Sequence, residues 1–353
     1  MVSLTNRITA LASLGKILLE VGENQQQKEY SSGLVNKLEK AVIEVVNHNG
    51  WFIEDNVRYM LSSLGKNLSK SNIENWIEPY KNKLIGRASG KNIGVVMAGN
   101  IPLVGFDDFL SVLISGNKII AKLSSDDRIL LPIIADLLVE VEPGFKKMIH
   151  FTNTQLKNFY AIIATGSNNT SRYFDYYFGN YPNIIRKNRN SVAVITGEES
   201  DDDLRNLTND IFMYYGLGCR NVSHIMLPKG YQLSELLETC SLNEKVNLNH
   251  KYFNNYEYNK AISLVNGTDH FDSGNLLFLE DDSYSSPVSV IHISYYSDIN
   301  SVNELLKVNN AKIQCIVSIS SDISNAIPPG TSQSPDLVDY ADGINTLEFL
   351  TNL

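Results

Sequence analysis

The segment Gly216-Leu217-Gly218-Cys219-Arg220-Asn221 sets a cysteine among glycines, between an amphipathic helical stretch and a strand-like run, Val222 to Leu227. Gly218 places no side chain beside the thiol and tolerates the backbone of a tight elbow. The setting suits a nucleophilic thiol held open to a reactant. It equally suits a small buried hydrophobe, and the local residues leave both readings open. His224, five residues on, is either a partner for that thiol or a packed strand residue. Arg220 either favours a thiolate electrostatically or is a solvated surface cation.

Three further segments follow strand-like runs, where an open α/β sheet gathers its ligand-binding loops. Gly99-Asn100-Ile101-Pro102 offers an amide that can face an oxyanion, or an ordinary helix-capping turn. Lys122-Leu123-Ser124-Ser125 offers a cation and hydroxyls for a ribose or phosphate, or a solvated lysine. Ala164-Thr165-Gly166-Ser167-Asn168 opens a helix with a Gly-Ser turn, which directs backbone N–H groups at an anion. It is not a GxGxxG motif.

The elements that must position these residues follow from apolar periodicity. Residues 1 to about 85 are helical, with Leu11, Leu14, Ile17, Leu18 and Val21 on one face and a polar loop at Gly22 to Ser32. From Asn92 onward, short apolar runs alternate with helical patterns. The runs are Asn92 to Ala98, Lys118 to Leu123, Met148 to Phe151, Tyr160 to Ala164 and Ser191 to Thr196. Ser124 to Asp127 is expected to open the helix that runs through Leu138, and Ser200 to Asp203 the one that leads to Tyr215. Such alternation means a mostly parallel sheet. After Cys219 it resumes, with strands near 223–227, 275–279, 289–293 and 313–319, and it ends in a turn-rich, polar tail.

Composition bounds the function. A 353-residue chain with 43% hydrophobic and 20% charged residues is a globular protein large enough for two domains. A net charge of −9 without a basic block argues against a nucleic-acid partner. Three scattered cysteines suit a reducing cytoplasm, and six histidines without a CxxC or HxxxH pair give no support for a metal site. No apolar run reaches membrane-spanning length, and the N-terminal stretch reads as neither signal peptide nor span.

Strand with Asn loop, strand with Lys loop, strand with Gly-Ser loop, then helix with Cys: in this order the sequence resembles the aldehyde dehydrogenase superfamily. More closely, it resembles the LuxC-like acyl-CoA reductases, the fatty acid reductase family. The resembling residues are NIGVVMAGNIPLVGFDDFLSVLISGNKIIAKLSSDD, AIIATGSNNTSRYFDYYFGNYPNIIRKNRNSVAVITGEES, YYGLGCRNVSHI and DLVDYADGINTLEFL. The resemblance implies an α/β, aldehyde dehydrogenase-like fold. A helical N-terminal segment and a Rossmann-type dinucleotide-binding domain would occupy residues 1–217, and a smaller α/β catalytic domain with the tail residues 218–353. It implies that Cys219 is the thiol that becomes acylated and that Asn100, with the Cys219 N–H, stabilises the oxyanion. It also implies that Lys122 and its neighbours Ser124 and Ser125 meet the cofactor ribose, and that Gly166 and Ser167 meet its pyrophosphate.

Two departures from the superfamily pattern shape the expected reaction. The segment Ile184-Ile185-Arg186-Lys187 stands where hydrolytic members carry a water-activating glutamate, so a thioester on Cys219 is expected to survive water. Ser125 stands where many NAD-using members carry an acidic residue, which favours NADPH over the alternative NADH, although Asp126 and Asp127 follow directly. The expected activity is reduction of a long-chain acyl-CoA, or an acyl-protein thioester, to an aldehyde by a cytoplasmic homo-oligomer. An acyl-protein synthetase is the expected partner. Of the superfamily's E-x-F-G-P segment only Pro287 matches, which leaves an alternative: an acyl-carrying subunit with vestigial cofactor binding.

Overall fold

The computed structural model describes residues 2–24, 33–85, 90–166 and 168–353. The chain divides into two compact units, residues 1–187 with 336–353, and residues 188–335.

The first unit begins with helices α1 (Leu4–Gly22), α2 (Gly33–Glu44), α3 (Glu54–Asn67), α4 (Lys70–Ile77) and α5 (Lys81–Leu84). The Ser3 hydroxyl caps α1 by accepting from the Asn6 amide at 3.1 Å. The expected apolar face of α1 is the one it buries. Glycines let α1 and α3 approach closely. An added Cβ would lie 2.5 Å from Leu68 Cβ at Gly15 and 2.6 Å from Leu19 N at Gly65. Most of the loop expected at Gly22 to Ser32 lies outside the described residues.

Five parallel strands follow in the order β3-β2-β1-β4-β5. They are β1 (Asn92–Val96), β2 (Lys118–Lys122), β3 (Ile149–Thr152), β4 (Ala161–Thr165) and β5 (Asn183–Arg186). Helices α6 (Phe106–Ile114) and α7 (Leu130–Val141) make the crossovers to β2 and β3, and α8 (Asn168–Phe178) leads to β5. This is the doubly wound, Rossmann-type arrangement, with its strand order reversing between β1 and β4.

The second unit holds a seven-stranded sheet, β12-β11-β6-β7-β10-β9-β8. Its strands are β6 (Asn190–Val194), β7 (Val222–Pro228), β8 (His270–Asp272), β9 (Leu277–Glu280), β10 (Val290–Tyr296), β11 (Ile313–Val317) and β12 (Ala326–Ile327). Every pairing is parallel except β8 with β9. Its helices are α9 (Asp201–Phe212), α10 (Ser234–Ser241), α11 (His250–Asn266) and α12 (Ile299–Val308).

Three expectations are corrected. The division falls at 187/188 rather than 217/218, because β6 pairs with β7 and β11 and carries α9 with it into the second unit. Ser124 to Asp127 do not open α7, which starts at Leu130, because their side chains bond to loop backbone instead. The tail is not a polar appendage. It returns to the first unit as α13 (Thr346–Asn352) and buries Leu347 and Leu350 completely in that unit's core.

A buried ion pair anchors this return. Arg186, at the end of β5, donates to Asp108 Oδ2 at 2.5 Å and to Thr346 Oγ1 at 2.8 Å. Burial opposes the guanidinium's charge, but Asp108 outweighs it and raises the Arg186 pKa. Asp108→Ala leaves that cation buried without its partner, so the first unit should lose about 3–5 kcal/mol. Both tryptophans, Trp51 and Trp76, lie in this unit, so denaturant unfolding followed by their fluorescence reads it directly. Asp108→Leu with Arg186→Met should recover most of the loss. Equal losses in the single and double variants would show that the pair is not coupled.

Candidate functional site

In the first unit the candidate residues gather at one edge of the sheet. Register sets the carboxyl ends of the strands side by side, with Val96 opposite Lys122 and Ala164, and Thr165 opposite Arg186. The chain leaves β1 through Met97, whose N–H donates to the Lys122 carbonyl at 3.0 Å, and reaches the exposed Asn100. Gly99 packs against the loop after β2, where an added Cβ would lie 2.6 Å from Ser124 Oγ. Lys122 and Ser125 are exposed at that edge and Ser124 is half-buried. Gly166 follows β4 on the other side of β1, and an added Cβ there would lie 2.9 Å from Phe174 and 3.0 Å from Thr170. Ser167 lies outside the described residues. Asn100, Lys122, Ser124, Ser125 and Gly166 therefore share the edge at which the strand order reverses, the place where open α/β sheets hold dinucleotides. The exposed lysine and the serine hydroxyls at this edge suit such a group.

Asp127 fixes the Asn100 loop, a role its sequence position did not reveal. Its Oδ2 accepts from the Leu103 N–H at 2.6 Å, and Leu103 is left-handed with φ of 56°. The carboxyl is 7% exposed and its Oδ1 has no partner. Burial pushes its pKa up to about 6, against the Leu103 bond, which lowers it.

Cys219 belongs to the second unit, where it precedes β7 at the amino-terminal edge of the sheet. The chain leaves α9 at Phe212 and enters β7 at Val222. Tyr214, Tyr215 and Gly216 between them are all left-handed, with φ of 51°, 60° and 75°. For an L-residue that conformation costs about 1–2 kcal/mol. Cys219 and Arg220 are the central residues of a turn closed by the Asn221 N–H donating to the Gly218 carbonyl at 3.0 Å. The buried Asn221 side chain holds this turn: Oδ1 accepts from the Gly218 N–H at 2.8 Å, and Nδ2 donates to the carbonyls of Asp210, Ile211 and Met213. Asp210 is fully buried, and its carboxylate accepts from Gly330 N, Ser332 N and Ser332 Oγ.

Two neighbouring strands supply the remaining contacts. Ser191 on β6 donates its hydroxyl to the Cys219 carbonyl at 2.9 Å, and Cys315 Sγ on β11 lies 2.9 Å from Ser191 Oγ. The three thiols are not alike. Cys240 is fully buried and its pKa is pushed up to about 12 by burial. Burial pushes Cys315 up to about 11, whereas Cys219 is partly exposed on its turn. His224 is not a partner for the thiol. Its Nδ1–H donates to the Ser283 carbonyl at 3.0 Å, and Nε2 accepts from the Ser294 hydroxyl at 2.8 Å. Burial lowers its pKa, which favours that neutral ring.

The neighbours Asp127, Asp210, Ser191 and Cys315 went unrecognised because they act across long sequence separations or between loops. Asn221 carried a signal, an Asx residue inside a glycine-rich turn.

No protein-family model and no curated protein matches this chain. Solved structures do. Aldehyde dehydrogenase 21 from Physcomitrella patens is similar at a TM-score of 0.63 and 11% identity, over 99% of this chain and 87% of that one. The P. syringae AldA indole-3-acetaldehyde dehydrogenase is similar at 0.61 and 11% identity, over 90% and 73%. A NAD-dependent benzaldehyde dehydrogenase from Corynebacterium glutamicum is similar at 0.57 and 14% identity, over 84% and 73%. The chain therefore has an aldehyde dehydrogenase-like fold. Among the described residues no helix is long and apolar enough to cross a membrane.

Asp127 yields a test by pH. Its folded pKa of about 6 lies above the ordinary 3.8, so the folded unit holds a proton that the unfolded chain has released. Its stabilising contribution is full below about pH 4 and is lost as pH rises through about 6, a change on the order of 3 kcal/mol. Asp127→Asn cannot titrate. The stability difference between wild type and variant should therefore move by that amount between those pH values, in favour of wild type at the acidic end. Parallel pH profiles in denaturant titrations would refute the assignment.

Proposed function

We propose that this protein reduces an acyl thioester to an aldehyde through Cys219, with a nicotinamide dinucleotide as reductant. The observation that carries the reading is the Cys219 turn: a partly exposed thiol on a backbone fixed from both sides, in a fold shared with aldehyde dehydrogenases. The dinucleotide would rest on Lys122, Ser124, Ser125, Gly166 and Ser167, and when bound it supplies a hydride. Cys219 attacks the acyl carbonyl as thiolate, the donor thiol leaves, and the acyl group becomes a thioester on Cys219. The Cys219 N–H donates to the oxyanion, and Asn100 is the second donor that the superfamily resemblance implies. After hydride transfer to that thioester carbon, the thiohemiacetal collapses and releases the aldehyde and the free Cys219 thiol.

Reduction is favoured over hydrolysis by the segment 184–187, which carries no carboxylate and whose Arg186 is held by Asp108 and Thr346. The closer resemblance to LuxC-like acyl-CoA reductases supports a long-chain acyl-CoA, or an acyl-protein thioester delivered by a synthetase, as donor. Ser125 favours NADPH. The C. glutamicum neighbour is NAD-dependent, so both reduced cofactors belong in the assay.

Incubation with long-chain acyl-CoA and NADPH should oxidise the nicotinamide, release aldehyde and leave an acyl adduct on Cys219 detectable by mass spectrometry. Cys219→Ala should abolish all three signals while cofactor binding persists, and Asn100→Ala should lower kcat on the order of 100-fold. Substantial turnover in the Cys219 variant would sink the reading. An adduct without nicotinamide oxidation would instead identify an acyl-carrying subunit.

A further inference from the structure

We propose that Asn221 is the positioning residue of the Cys219 turn, clamping the thiol's backbone across the left-handed run that precedes it; this rests on the reading of Cys219 as the nucleophile. Two independent observations meet at this side chain. The first is the run itself. Tyr214, Tyr215 and Gly216 are consecutively left-handed, and both tyrosines are buried. Such a conformation persists only where its surroundings over-determine it. The second is the reach of the carboxamide. Nδ2 donates to the Met213 carbonyl at 2.7 Å on the near side of the run, and Oδ1 accepts from the Gly218 N–H at 2.8 Å on the far side.

The remaining bonds of Nδ2, to the Asp210 and Ile211 carbonyls at 3.0 and 3.3 Å, satisfy groups that the end of α9 leaves without helical partners. Asn221 is 1% exposed, so water does not compete for these bonds. Asparagine is suited to the role because it presents a donor and an acceptor on one short, neutral group. An aspartate of the same size would turn an anion toward three carbonyls. Cys219 and Arg220 lie between the clamped Gly218 and Asn221, and Ser191 holds the Cys219 carbonyl from the other side. Little backbone freedom remains to the thiol. Acyl transfer needs that restriction, since a misplacement of about 1 Å costs on the order of 100-fold in rate.

Hydrogen exchange followed by mass spectrometry tests this in the full chain. In wild type, the Gly218 amide should be strongly protected, although it lies in a turn. Asn221→Ala and Asn221→Asp should each speed exchange across 213–221 at least tenfold while β7 and β10 keep wild-type rates. Acylation of Cys219 by acyl-CoA in a single turnover should fall by about 30-fold or more with little change in KM. Wild-type protection in Asn221→Asp would show that only volume matters and overturn the proposal. So would faster exchange spread evenly over the unit. If neither variant folds, the wild-type amide decides: exchange at the rate of an unstructured peptide overturns it. A wild-type chain that accepts no acyl group refutes the nucleophile reading instead, and the exchange rates still judge Asn221.

Discussion

Parallel strands cannot be joined by tight hairpins, so each needs a crossover that carries the chain back along the sheet. That requirement delivers every strand's carboxyl end to one edge and every amino end to the other. In the first unit it lines up Val96, Lys122, Thr152 and Ala164, so the loops after these strands share one edge whatever their sequences. The order β3-β2-β1-β4-β5 then reverses between β1 and β4, which places the Asn100 loop and Gly166 on either side of that switch point. The second unit obeys the same rule but uses the other edge. Cys219 precedes β7 and its carbonyl meets Ser191 near the amino end of β6, while Cys315 on β11 reaches the Arg220 carbonyl at 4.0 Å.

A loop at a sheet edge has backbone groups that neither helix nor sheet satisfies, and burying them unpaired is costly. Three buried side chains take up that task, each with a different electrostatic consequence. Asp127 offers only acceptors, and one of its oxygens stays unpartnered, so burial raises its pKa. Asp210 is buried more completely, yet three donors from the Gly330–Ser332 turn oppose the same burial effect. Asn221 must accept from one amide and donate to three carbonyls. Only a neutral amide does both without bringing a charge into the interior.

What was legible in the sequence was what repeats along it. The apolar face of α1 has the period of a helix and β1, β2 and β4 are short apolar runs, and these were read correctly. Strand β5 was missed because it has four residues with polar ends, too few to show a period. The assignment of β6 to the wrong unit has another cause. Strand followed by helix looks the same in both sheets, and only pairing with β7 and β11 decides between them. The start of α7 was misplaced because Ser124 and Asp127 have the chemistry of helix caps but use it on loop backbone. At the candidate site, the cysteine, the Asn loop and the Lys loop stood out locally as segments, though local composition left their roles open. Their supports did not, since Ser191 and Cys315 lie 124 residues apart.

A scaffold held in common at 11–14% identity conveys where loops fall, not what they do. The direction of any thioester chemistry here depends on smaller matters, above all on whether water can be activated. Arg186 bears on that choice twice. It is a cation rather than a base, and its bonds to Asp108 and Thr346 commit it to holding β5, α6 and α13 together. Withdrawing it from that pair would leave a buried carboxylate without its cation, which is the most expensive way to break such a pair. Arg186 is therefore occupied by structure within the first unit, which supports the proposed reduction over hydrolysis.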